Sequence, residues 1–223
     1  MDYTTTEDAF KILAESKNEF HRPIFDGVVD LKRYGQSSIK ILWVLKEPWE
    51  KLRNGARGGG WSVTRDLLRD GEFKNNKGTY PPMAYVSYAV ENGFLDYSMI
   101  PRVASDSKVR DVLRTLAYIN IKKFPGNTSS SPKEIQNYYT RYEAFLLNQV
   151  EEIAPDVIIF GGTHHNFCRA LRLENLKSHS KGPGFVKQDG RLYIAAYHPN
   201  QRSIGKASYV NGIVNTIKIE QAG

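Results

Sequence analysis

Apolar and polar positions alternate along this chain in a rhythm of short buried strands and amphipathic helices. Ile39 to Leu45 is a β-branched and aromatic run of strand length, apolar on both faces, and predicts a central strand of a sheet. Ala117 to Ile121 predicts a second short strand, Asp156 to Thr163 a third and Leu192 to Tyr197 a fourth. Helices are predicted between them. Glu7 to Phe20 carries Phe10, Ile12 and Leu13, with Thr5 and Asp8 at capping-box spacing. Ser62 to Leu68 opens like a helix, a short one is expected around Met83 to Asn92, and another begins near Asp106 with Val109, Val112, Leu113 and Leu116 on one face. The clearest signal starts at Ser131-Pro132-Lys133-Glu134, an N-cap, a proline at the first helical position and a capping Glu. Ile135, Tyr138, Tyr139, Tyr142, Leu146, Val150 and Ile153 then recur at helical spacing until Pro155. Thr163 is placed to cap a helix through Phe167 and Leu171, and Gln188 to Arg191 reads as a turn opening the last strand.

Strand and helix in alternation predict an α/β fold with a parallel sheet and right-handed crossovers. In such sheets ligands bind at the carboxyl ends of the strands. Two of the predicted strands stop there at an ionisable residue near a proline, Glu47-Pro48 and His198-Pro199. An exposed strand-terminal Glu is the commoner reading of such a position. Asn120 interrupts its strand with a side chain that donates and accepts hydrogen bonds, or that bonds to nearby backbone. Lys51 to Trp61 is a basic, glycine-rich loop that fits neither a Walker loop nor a dinucleotide fingerprint.

Composition narrows the classes. The 223 residues, 40% hydrophobic and 12% aromatic, suffice for one core, and a single domain over 1–223 is expected, with a helical segment over 1–37. A net charge of +7 leans toward a polyanion such as DNA, although such a charge also keeps ordinary proteins soluble. Cys168 alone excludes an intramolecular disulfide framework and any four-cysteine cluster, and suits a reducing compartment. His164 and Cys168 lie four apart, but two ligands without others in range do not predict a metal. No run reaches membrane-span length, and the first residues lack the features of a signal peptide, so a cytoplasmic monomer with no membrane association is expected.

Taken together, Leu45 to Trp49, Trp61-Ser62-Val63, the stretch from Asn120 through Gly161 and His198-Pro199 resemble, in order and spacing over 38–215, the motifs of the uracil-DNA glycosylase superfamily. The middle stretch is similar to the four-cysteine branch: an Asn in a short strand, Pro-Gly-Asn, Ser-Pro-x-Glu, a long helix, then Pro-Asp-Val-Ile-Ile-Phe-Gly. The resemblance implies a three-layer α/β/α fold around a mostly parallel four-stranded sheet. It implies excision of a flipped-out uracil or related pyrimidine, without a cofactor. Glu47 would orient the attacking water and His198 would bond the base's O2. Lys46, Trp49, Trp61 and Asn120 would form the base pocket, with Trp61 stacking and Asn120 reading the base edge. Arg57, Lys122, Lys123, Gln201 and Arg202 would hold DNA.

The chain departs from the family pattern. Lys46 replaces Gln, Glu47 replaces Asp, Trp49 and Trp61 replace smaller rings, and three of the four cluster cysteines are missing. A modified base of foreign DNA, hydroxymethylated or glucosylated, is therefore a rival substrate, and phage defence a rival role. A catalytically silent DNA-binding member is the alternative of a different class, and a nucleotide-binding protein using the glycine loop is a weaker one.

Overall fold

The computed structural model describes residues 3–51, 58–69, 78–180 and 182–222. It is a mixed α/β structure whose sheet has seven strands. The strands are β1 (Gly27–Val28), β2 (Ile41–Leu45), β3 (Ala117–Asn120), β4 (Val157–Gly161), β5 (Lys177–Ser178), β6 (Gly184–Gln188) and β7 (Arg191–Ala196), in the order β1-β3-β2-β4-β7-β6-β5. The sheet is thus wider than the four strands expected. Neighbours β3 and β2, β2 and β4, and β4 and β7 pair in parallel. The additional β1, β6 and β5 pair antiparallel and lie outside them.

Alternation along each strand divides the core into two. Ile41, Trp43 and Leu45 face one cluster, completed by α3 (Tyr80–Glu91), α4 (Ser107–Asp111) and α7 (Lys206–Ala222). Leu42 and Val44 face the other, with α1 (Tyr3–Ser16), Tyr34 of α2 (Leu31–Gln36), α5 (Pro132–Ile153) and α6 (His164–Phe167). All five residues of β2 are buried, as a strand covered by helices on both faces must be.

Local chemistry explains the ends of α5 and the start of α4. Ser131 caps α5 by accepting from the Glu134 N–H, and Ala154, at φ 48°, ends it ahead of Pro155. Asp106 caps α4 through the Lys108 N–H at 2.8 Å. Three expectations are corrected. The first helix begins at Tyr3, so Thr5 lies inside it; Phe10 and Ala14 are its buried positions, whereas Ile12 is 68% exposed. Val63–Arg69 is a π-helical turn. Thr163 does not cap α6: its hydroxyl donates to the Val44 carbonyl at 2.7 Å, tying β4 to β2. Among the described residues, no helix is long and apolar enough to cross a membrane.

Candidate active site at the strand ends

Parallel strands end on one edge, and register sets how their ends align. Leu45 pairs with Asn120, Val44 with Phe160, and Gly161 with Ala196. Glu47, Asn120, Gly162 and His198 are therefore set at or just past one edge of the sheet. β4 lies between β2 and β7, so the backbones carrying Glu47 and His198 stand about two strand spacings, roughly 10 Å, apart.

Glu47 is enclosed. Its side chain is 3% exposed, and its Oε2 lies 3.0 Å from the ammonium of Lys122, which also donates to Glu134 at 2.6 Å. At 3.0 Å Glu47 and Lys122 form a buried ion pair. Burial alone would lower Lys122, but Glu134 and Glu47 outweigh it and hold the ammonium above its ordinary value. The backbone of Gly126 lies over the carboxylate. Its N–H donates to the Pro48 carbonyl at 2.8 Å, and a Cβ there would sit 2.4 Å from Glu47 Cδ. Gly126→Ala is expected to lower stability by about 1–3 kcal/mol through overpacking, read from a urea unfolding curve. An unchanged midpoint would show that Glu47 can move aside.

His198 is the second anchor. Its Nδ1 accepts the Asn200 backbone N–H at 3.2 Å, so the neutral ring carries its proton on Nε2 as a donor. Burial, and then the nearby Lys46 ammonium, push its pKa down to about 4. Lys46 and His198 both border Gly162, whose φ of 74° suits glycine and whose added Cβ would meet Lys46 Cε at 3.5 Å and His198 Cβ at 3.8 Å. Protonation is thus harder in the folded state than in the unfolded chain. The resulting stability is fully present above the unfolded value near 6.5 and is lost as pH falls through about 4. An NMR titration is expected to keep the His198 ring neutral at pH 5.5; a midpoint near 6.5 would contradict the desolvated setting beside Lys46.

Asn120 is fully buried. Its Oδ1 accepts from the Tyr118 hydroxyl at 3.1 Å, while Nδ2 has no partner among the described residues. Its backbone is pinned by Asp26, whose carboxylate accepts from the Asn120 N–H at 2.8 Å, Lys123 Nζ at 2.5 Å and Gln149 Nε2 at 3.2 Å. Trp61 is half-buried against the core cluster that includes Trp43 and Tyr118. A cavity of about 600 Å³ borders Gly162 and Tyr197 and is walled by His164, Ala196, Tyr209 and Ile213; neither His198 nor Glu47 lines it.

The other expected positions divide. Lys122 and Lys123 are both buried and paired with carboxylates, and burial lowers Lys123 despite Asp26. Gln201 closes its own loop, donating to the Ile204 carbonyl at 3.0 Å and accepting the Ile204 N–H at 2.9 Å. Arg202 is exposed beside it. Trp49 is 56% exposed rather than pressed into a pocket. Arg57 lies outside the described residues. No group of three or more His, Cys, Asp or Glu among the described residues is placed to hold a metal.

Sequence reasoning missed Asp26, Gly126 and Gly162. Gly126 stood in view as part of Pro-Gly-Asn, and Gly162 as half of a glycine pair, but only the fold shows what each passes over. A scan against protein-family models gives no match, and a search of curated proteins gives no significant match.

Proposed function

We propose that this chain is a monofunctional DNA glycosylase that hydrolyses the N-glycosidic bond of a flipped-out uracil or related pyrimidine. The observation that carries the reading is the setting of His198, a partly buried neutral imidazole with Nε2–H left to donate, on the sheet edge that also carries Glu47 and Asn120. The parallel pairing of β3, β2, β4 and β7 with helices on both faces supports the three-layer fold that the motif resemblance implies.

In the proposed reaction the C1′–N bond breaks, its electron pair passes to the base, and positive charge builds on the sugar. Water attacks C1′, and Glu47 orients it and takes its proton. Negative charge collects on the base at O2, where His198 Nε2–H donates without transferring its proton. Asn120 Nδ2, buried and unpartnered, is suited to a carbonyl on the base edge, and the ring of Trp61 to its flat face.

One observation favours a second reading, a silent DNA-binding member: the Glu47 side chain is enclosed and ion-paired. Oligonucleotides bearing uracil, thymine, hypoxanthine, hydroxymethylcytosine or its glucosylated form, single- and double-stranded, separate the two. Release of one base, leaving an alkali-labile site, is the expected result and names the substrate. Salt-dependent binding with no release of any base would leave the silent member.

A further inference from the structure

Phe20 is 93% exposed, yet the backbone that presents it is held on both sides. Before it, the Glu19 carboxylate accepts from Arg141 at 2.7 Å, the Tyr142 hydroxyl at 2.7 Å and the Tyr138 hydroxyl at 3.4 Å, all on α5. After it, the Ile24 N–H donates to the Lys123 carbonyl at 2.8 Å. The His21 ring packs edge-on against Phe20 with centroids 5.0 Å apart. A ring on a segment anchored in this way is preorganised, so little conformational freedom is lost when a flat ligand stacks on it.

Topology brings the segment that carries that ring toward the end of the sheet bearing the candidate site. β1 runs antiparallel to β3, so the residues leading into Gly27 lie where β3 ends. Tyr138 makes the link direct: its hydroxyl donates to Glu19, and its ring lies 5.4 Å from the Lys122 ammonium that pairs with Glu47. Arg22, exposed, lies across Gly60, where a Cβ would come within 2.5 Å of the guanidinium. Gly60 adjoins Trp61.

We propose that Phe20, backed by His21 and flanked by Arg22, is a stacking step for an unpaired nucleobase next to the one drawn into the site. The partner is single-stranded DNA. An exposed ring face accepts any base, and an adjacent guanidinium meets the phosphate that accompanies it, the pairing that single-strand binders use. The inference rests on the glycosylase reading for the nature of the ligand, and adds the strand form and a contact outside the reaction centre.

The test is fluorescence anisotropy of a labelled oligothymidine titrated with the full chain, with base release from a substrate oligonucleotide run beside it. Phe20→Ala is expected to weaken binding about 10-fold and Phe20→Trp to retain it. Arg22→Ala is expected to lower the salt slope by about one ion. Phe20 covers little, so thermal melting should be unchanged in both Phe20 variants. If Phe20→Ala binds as the parent does while base release persists, the stacking step is wrong and the site reading stands. A parent that releases base only from duplex and does not bind oligothymidine also overturns the stacking step. A parent that neither binds nor releases base overturns both.

Discussion

Glu47→Gln is expected to lower base release by about 10²–10³-fold while leaving DNA binding intact or slightly tighter. Glutamine keeps the length and hydrogen-bonding ends of the side chain beneath Gly126, but it neither stabilises a sugar cation nor takes a proton from water. Lys122 keeps its 2.6 Å contact with Glu134, so the substitution does not strand an unpaired buried cation. The neutral amide also removes a negative charge that opposes the phosphates. Single-turnover rates at saturating protein, beside a binding isotherm, separate the two effects. Release at the parent's rate would remove Glu47 from the chemistry.

Asp26→Ala is expected to cost about 3–5 kcal/mol of folding stability, the penalty for breaking a buried ion pair by removing one partner. Asp26 and Lys123 side chains are 1% and 3% exposed. Alanine strands the Lys123 ammonium, the Gln149 amide and the Asn120 N–H at once. Because burial already lowers the Lys123 pKa, loss of its proton offers partial relief, which places the expectation toward the lower end. Asp26→Asn is expected to cost less, since an amide oxygen still accepts. Urea unfolding measures both, and a change under about 1 kcal/mol for alanine would mean that water enters and solvates the network.

These two residues mark what a sequence shows and what it hides. The strand over Ile41–Leu45 was legible because a strand buried on both faces is one continuous apolar run, and α5 because cap, proline and stripe agree. Glu47-Pro48 and His198-Pro199 were legible as short strings just past strand ends, where side chain and backbone roles are local. Edge strands were not: Lys177 and Ser178 are both exposed, and Phe185 is the only buried residue of β6. Their hairpin turn at Asp189-Gly190 was read as opening β7, with its other arm unrecognised. The stripe of α7, at Tyr209, Val210, Ile213, Val214 and Ile217, did carry helical spacing and was not among the predicted elements.

The burial of two lysines was hidden for a physical reason. Lys122 and Lys123 look like a basic loop because their partners, Glu47, Glu134 and Asp26, are brought to them by the fold and not by proximity in sequence. Exposed cations at the same edge, Arg22 and Arg202, sit among residues with little pattern of their own. The neutral state of His198 was equally hidden. It depends on burial and on Lys46 across Gly162, and no local string encodes either.

The most direct test of the central claim is intact-mass spectrometry of a substrate oligonucleotide after incubation with the parent chain, with Glu47→Gln and His198→Ala beside it. The account predicts one product from the parent, lighter by the base and heavier by the elements of water, with the strand unbroken until alkali is added. It predicts little or none from either variant. An unchanged oligonucleotide across every base tested, with the protein still bound to it, would contradict hydrolysis at this site and make the chain a binder of DNA.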